Sequence, residues 1–282
     1  MALEAEVCVF GGYEALPFEK TRMKRGLLSF DMGERMLKRG LVNLASPRIL
    51  KMVMAYHLGG WRNKPIYKLC CSAYTAADSY KLHSYNDKCY KWGYFTHVDK
   101  KIDIEVSPEK SETGPTTLMW CSRLLVWKHP ELPVQMAAKL KEKGYKFRLR
   151  MYGDEGNAAK HDTVYPRTEL QKLIEQLGVQ DSVELMGSRP NNEVLDTMQK
   201  SEIFLFTSDR MEGWGAVANE SMANGCVLVA SDVIGSSPYL IEDGVNGFMF
   251  HSQDIDSLTQ KVEWLLKHPV ERKKMRTDAY DA

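Results

Sequence analysis

Residues 203–231 read IFLFTSDRMEGWGAVANESMANGCVLVAS. Two apolar runs, IFLFT and VLVAS, enclose a polar loop and a helix-forming segment. A strand packed on both faces has no solvent side to alternate toward, so unbroken apolar runs joined through a helix predict parallel strands buried under helices. Within the connection, Glu212 and Glu220 stand eight positions apart across Gly213, Trp214 and Gly215, and no basic residue follows Arg210 before the second run. A solvated helix would mix such acids with lysine and arginine. The bland alternative is a capping acid followed by a buried helix acid satisfied by backbone.

The same alternation extends in both directions from residue 116. Strands are predicted at 117–121, 147–152, 182–187, 203–207, 227–231 and 247–250, with helices at 130–143, 167–178, 190–200, 214–224 and 254–267. Gly144 and Gly178 stand as helix stops, and Pro190 opens a helix. This is a complete Rossmann-like lobe. Residues before 112 are less regular: strands at 6–10, 65–71 and 88–95, basic helices within 18–39 and a helix near 47–58. Three strands are few for a doubly wound lobe, so the first lobe is expected to be incomplete. The polar stretch 96–117 reads as a linker, giving a partial lobe at 1–112 and a full lobe at 113–282 in an α/β, two-lobed architecture.

The totals agree with two domains: 282 residues, 44% hydrophobic and 27% charged. No apolar run reaches the 18 residues of a membrane span, and the first residues do not read as a secretory signal. A cytosolic setting is expected, and the six cysteines, without CxxC pairs, are expected to be reduced thiols. The net charge of +1 divides unevenly: residues 1–110 hold 18 Lys and Arg against 12 acids, leaving 20 against 25 afterward. That excess is too small for a nucleic-acid footprint, but the basic segment at 19–40 suits peripheral contact with the inner face of a membrane. Its bland reading is a solvated helix face.

Ligands of open parallel sheets lie where strands end. IFLFT ends at Thr207, and a helix is predicted to begin near Trp214, with Gly213 and Gly215 leaving its first amides bare for a phosphate. Glu212 would sit at the mouth and Glu220 about two turns in, each able to accept hydrogen bonds from sugar or ribose hydroxyls. After the first strand of this lobe, SRLLVWKHPE places Arg123 and Lys128 five apart, a pair able to offset the charge of a departing diphosphate. LRMYGDEG, around Gly153, is a strand end lining the crevice; no GK[ST] follows to make it a Walker loop. Trp214 is read first as packing and second as a sugar platform.

The ordered motifs SRLLVWKHPE, LRMYGDEG, SVELMGSRP, EGWGAVANESMANG and DGVNGF, spread over 116–267, resemble the donor half of retaining glycosyltransferases of the GT-B fold, family 4, also called group 1. The glutamate pair matches that family's E-x7-E pattern. The resemblance implies that Glu212 contacts the transferred sugar, that Glu220 binds ribose, and that Arg123, Lys128 and the backbone at Gly213, Trp214 and Gly215 hold the diphosphate. Gly153, Leu185, Met186 and Gly187 would flank the nucleotide. It also implies a UDP-, GDP- or ADP-linked sugar as co-substrate, a saccharide or lipid-linked acceptor, no cofactor and no metal. In the front-face route proposed for the family, the leaving phosphate takes the acceptor's proton, and no protein base is strictly required; His57, His83 and His97 are accordingly read as structural. His129 departs from the family's usual glycine after the lysine, and SSPY at 236–239 lacks a glutamate often found there. Against the family's pattern the sequence reads as lacking both ends. The rival readings are a non-catalytic nucleotide-sugar-binding module and a nucleotide-sugar epimerase; a glycosidase using Glu212 and Glu220 would need neither the basic pair nor a phosphate-binding turn.

Overall fold

The computed structural model describes residues 3–96, 114–156, 159 and 162–282. The chain divides into two compact units. One runs through Tyr94 and takes in Arg210–Trp214; the other comprises the described residues of 95–209 and Gly215–Ala282. The boundary expected at 112/113, residues 97–113 of the expected linker, and so His97, lie outside the described residues.

In the first unit, β1 (Cys8–Gly11), α1 (Leu16–Arg25), β2 (Ser29–Gly33), α2 (Pro47–Leu58), β3 (Ile66–Cys70), α3 (Thr75–Lys81) and β4 (Cys89–Lys91) follow one another. The four strands form a parallel sheet in chain order. Pro17 starts α1, and Gly26, at φ +67, ends it by donating to the carbonyls of Arg22 and Met23. Met23, Ala55, Tyr56, Trp61, Ile66 and Tyr85 make the core.

Two expectations for this unit need correction. The sheet has four strands, not three, because SFDMG is a strand where helix was expected. In the fold Asp31 sits opposite Lys68 of β3, accepts from its Nζ at 2.9 Å and from the Tyr85 hydroxyl at 2.8 Å, and is buried. Residues 34–39 are not helical either, although Lys38 does meet Glu34 at helical spacing, 2.9 Å apart. Asp78 captures the Leu37 amide at 2.9 Å and pairs with Arg35 at 3.3 Å, holding the segment as an irregular loop.

In the second unit, β5 (Thr116–Cys121), α4 (Glu131–Glu142), β6 (Phe147–Tyr152), α5 (Arg167–Gln176), β7 (Val183–Gly187), α6 (Asn191–Gln199), β8 (Ile203–Phe206), α7 (Val217–Ala223), β9 (Val227–Ser231), α8 (Ser237–Leu240), β10 (Gly247–Phe250), α9 (Ile255–Lys267) and α10 (Pro269–Asp281) succeed one another. All six strands are parallel, in the order β10-β9-β8-β5-β6-β7. Every predicted strand is present, and a doubly wound sheet results. One face buries Leu118, Trp120, Leu149 and Val229 under α4, α5 and α9. The other buries Met119, Phe204, Leu228 and Ala230 under α6, α7 and Ala279 of α10.

Gly144 and Gly178 are both left-handed, as their role as stops requires. The final helix α10 was not foreseen. Its sequence is charged on all sides, yet Arg272 donates to Leu265 O at 2.6 Å and pairs with Glu202, while Arg276 donates to Gly225 O at 2.7 Å. All six cysteines are free thiols, and no described helix is long and apolar enough to cross a membrane.

Candidate functional site

The order reversal of the second sheet falls between β5 and β8, which are neighbours although three strands apart in sequence. Loops leaving the carboxyl ends of two such strands diverge and leave a crevice. The β5–α4 loop carries Arg123 and Lys128, and it is pinned along its length. Leu124 N donates to Asp154 O at 2.7 Å, Val126 N to Thr163 O at 2.9 Å, and Tyr165 N to Leu124 O at 2.9 Å. Arg123 is half exposed and faces Asp162 at 3.6 Å. Lys128 lies over the Trp127 ring, 4.2 Å from its centroid, and 6.0 Å from that of Phe206.

A relay of hydrogen bonds sets the height of Lys128. Trp120 Nε1 of β5 donates to Thr207 Oγ1 at 2.9 Å, and Thr207 donates to Lys128 O at 2.8 Å. All of Thr207 and nearly all of Trp120 is buried, so the relay ties the loop to both strand ends. Neither residue was singled out from sequence; a threonine closing an otherwise apolar strand was the available signal.

His129 adopts φ +51, ψ +56, the left-handed region that favours glycine. A glycine would adopt that conformation without strain. Here histidine offers ion contacts in exchange: Nδ1 lies 2.8 Å from Glu131 Oε1 and Nε2 lies 3.8 Å from Asp209 Oδ2. Burial works against the charged imidazole, but Asp209 and Glu131 outweigh it and raise its pKa to about 9. The imidazolium therefore joins Glu131 at the start of α4 to Asp209 in the loop that follows β8.

Glu220 occupies the fourth position of α7 and is one turn in, not two, because that helix starts at Val217 rather than near Trp214. Its carboxyl is half buried, and burial raises its pKa. Among the described residues it has no hydrogen-bond or ion-pair partner for its carboxylate. The Cys121 thiol at the end of β5 is pushed up to about 12 by burial, then by the negative Glu220, against the opposing pull of Lys128. Glu220 and Lys128 thus each act on the thiol that ends β5. Gly215, at φ +77, makes the turn that leads into α7.

Gly153, at φ +124, is the closest backbone approach in the unit: a Cβ there would strike the carbonyl of Ser122. Its amide is taken by Gly187 O at 2.9 Å, beside the irregularity where β6 and β7 shift register. Of the β7 residues, Leu185 packs toward the core of one sheet face and Met186 toward the other. They do not line one surface together. The Leu185 carbonyl already accepts from Arg167 Nη2 at 2.9 Å.

Glu212, Gly213 and Trp214 group with the first unit. Glu212 is buried. The space beside Gly213 is filled by the carboxylate of Glu34, which a Cβ would strike; the glycine there admits an acid, and it does not begin a helix with bare amides as expected. Trp214 is 2% exposed, 5.7 Å from the Tyr94 ring and against Gly93, which is a packing position. Tyr90, Trp92 and Phe95 are exposed. Arg210 Nε donates to Lys38 O at 2.6 Å. Among the described residues no group of three potential ligands could hold a metal ion.

The sequence model of Glycosyl transferases group 1 matches residues 101–282. The chain is 28% identical over 159 residues to an exopolysaccharide phosphotransferase of Streptomyces coelicolor, covering 56% of this chain and 16% of that protein. It is 29% identical over 161 residues to the putative colanic acid biosynthesis glycosyltransferase WcaL of Escherichia coli, covering 55% of this chain and 37% of WcaL. The chain therefore spans well under half the length of these relatives. Among solved structures it resembles HepE of Anabaena in complex with UDP, at a TM-score of 0.73 and 17% identity, covering 99% of this chain and 74% of HepE. The likeness supports an α/β, GT-B-type fold with two parallel, helix-flanked sheets.

Proposed function

Because the chain belongs to the group 1 glycosyl transferases, we propose that it acts in transfer of a sugar from a nucleotide diphosphate to an acceptor hydroxyl, with the anomeric configuration retained. The donor is read as held by the second unit. One observation carries this: at the reversal point of a parallel sheet, a half-buried Glu220 carboxylate without a described internal partner and the Lys128 ammonium both act on the Cys121 thiol that ends β5. A carboxylate kept in that condition is stabilised by hydroxyl donors from a ligand, and a ribose diol supplies two.

In this reading Arg123 and Lys128 stabilise the charge that develops on the departing diphosphate, from a loop already fixed before substrate arrives. The hydrogen-bonded relay from Trp120 through Thr207 keeps Lys128 in place. Glu212 is assigned to the sugar, and the leaving phosphate takes the acceptor's proton. The diphosphate role is given to the two cations rather than to Gly213, since Glu34 fills the space there. HepE, solved with UDP, makes UDP the first nucleotide to try. A saccharide or lipid-linked acceptor in polysaccharide or glycolipid assembly, met on the cytoplasmic face of a membrane without a metal cofactor, completes the proposal.

Calorimetric titration with UDP, GDP and ADP, and then with the matching nucleotide sugars, tests it. Micromolar binding of one nucleotide, weakened in Glu220→Ala by about 1–3 kcal/mol, is the expected result. A folded sample that binds none of the three overturns the donor-site reading.

A further inference from the structure

The first unit contains a cleft of about 540 Å³ between α1 and α2. That lies within the roughly 300–1,000 Å³ typical of small-molecule sites. Its position separates it from the crevice discussed above. Lys24 is near the end of α1, just before β2; Leu58, Gly59, Trp61 and Lys64 lie between the end of α2 and the start of β3. The cleft therefore opens toward the amino ends of these strands, whereas ligands of such sheets ordinarily occupy the carboxyl ends.

Its floor and rim differ in chemistry. Met23, Ala55 and Trp61 form the buried floor, the indole being 3% exposed. Gly59 allows that arrangement, since a Cβ there would strike the Trp61 ring nitrogen and the Ala55 carbonyl. Met54 and Leu58 carry the apolar surface outward along α2, with Leu58 80% exposed and Leu50 continuing the stripe one turn earlier. Around this stand Lys20, Lys24, Lys51 and Lys64. No acid lines the cleft, and none of the four lysines has an ion-pair partner among the described residues.

Four uncompensated ammonium groups repel one another, and an apolar floor that opens onto an exposed apolar stripe is costly to leave in water. One chemical class answers both. We propose that this cleft binds a single anionic amphiphile, its phosphate or carboxylate head among the four lysines and its hydrocarbon chain along Trp61, Met54 and Leu58. Neither a bare anion nor a neutral chain satisfies both features. The inference is independent of the donor-site reading and stands if that reading fails.

The test is titration of the whole chain with monomeric dodecyl phosphate, below the concentration at which it forms micelles, beside dodecyl maltoside and inorganic phosphate. Saturable one-to-one binding of dodecyl phosphate, at least about tenfold tighter than either control, is the expected result. Lys20→Ser/Lys24→Ser/Lys51→Ser should lose at least about tenfold, and so should Leu58→Asp, an exposed position whose substitution leaves the core intact. Circular dichroism checks folding. Displacement of the probe by phosphatidylcholine vesicles containing phosphatidylglycerol identifies a bilayer as the source of the amphiphile; failure of displacement identifies a free one. Equal binding of dodecyl maltoside, equal binding of inorganic phosphate, or undiminished binding by folded variants overturns the proposal.

Discussion

Glu220 shows how a single side chain can carry opposite consequences for stability and for binding. Its pKa is raised by burial, so the ionised form is less favourable in the folded chain than in the unfolded one. The sign follows: its contribution is best below the unfolded carboxylate value and declines as pH rises through the folded one. At pH 7, Glu220→Gln should be at least as stable as the parent to urea, yet bind the preferred nucleotide about tenfold more weakly. Loss in both measurements would make Glu220 a structural residue. Arg123 and Lys128 make a complementary case. Alanine at either should weaken binding of a nucleoside diphosphate far more than of the nucleoside, and calorimetry with both ligands separates charge recognition from general damage to the loop.

The connections between elements decide whether those side chains are usefully placed. His129 joins α4 to the Asp209 end of the β8–α7 loop, and its raised pKa is a stability statement. A histidine raised to about 9 stabilises the fold fully below its unfolded value near ~6.5 and loses that contribution as pH rises through about 9. His129→Gln should therefore cost about 1–3 kcal/mol at pH 6, with the difference from the parent shrinking by pH 10 in urea unfolding. A pH-independent difference would show that the ion contacts are not the cause. Gly153 sets the approach of the β6–α5 loop to the β5–α4 loop. Gly153→Ala combines a disfavoured φ with a collision at the Ser122 carbonyl, so a loss of at least ~2 kcal/mol is expected, with nucleotide affinity falling alongside.

At the scale of the molecule, the two units make separable predictions. Hydrogen exchange with the preferred nucleotide should protect amides around 122–129 and 215–220 while leaving β1 to β4 unchanged. The nucleotide sugar should add protection at 210–214 beyond that of the nucleotide alone if Glu212 meets the sugar. Equal protection by both ligands would remove Glu212 from that role.

The strands and principal helices of the second unit were legible in the sequence because they are buried on both faces: IFLF, VLVAS and TLMWC leave little else for such residues to do. The order of motifs likewise marked Arg123, Lys128, Glu212 and Glu220 before any fold was known. Other features depended on partners distant in sequence. Asp31 is acceptable in β2 only because Lys68 and Tyr85, 37 and 54 residues away, meet it. Glu34 and Lys38 have helical spacing, but Asp78 takes the amide that a helix would have used. Helix α10 is held by carbonyls of Leu265 and Gly225 that no local pattern reveals. The sequence by itself determined the parallel second sheet and its candidate ligand-bearing loops, because burial and turn chemistry are local demands on residue type. Only the tertiary structure decided the fourth strand of the first sheet, the partner of Gly213 and the lysine-rimmed cleft, because each arises when groups far apart in the chain meet: a charge satisfied at Asp31, a space filled beside Gly213, and charges left unpaired around the cleft.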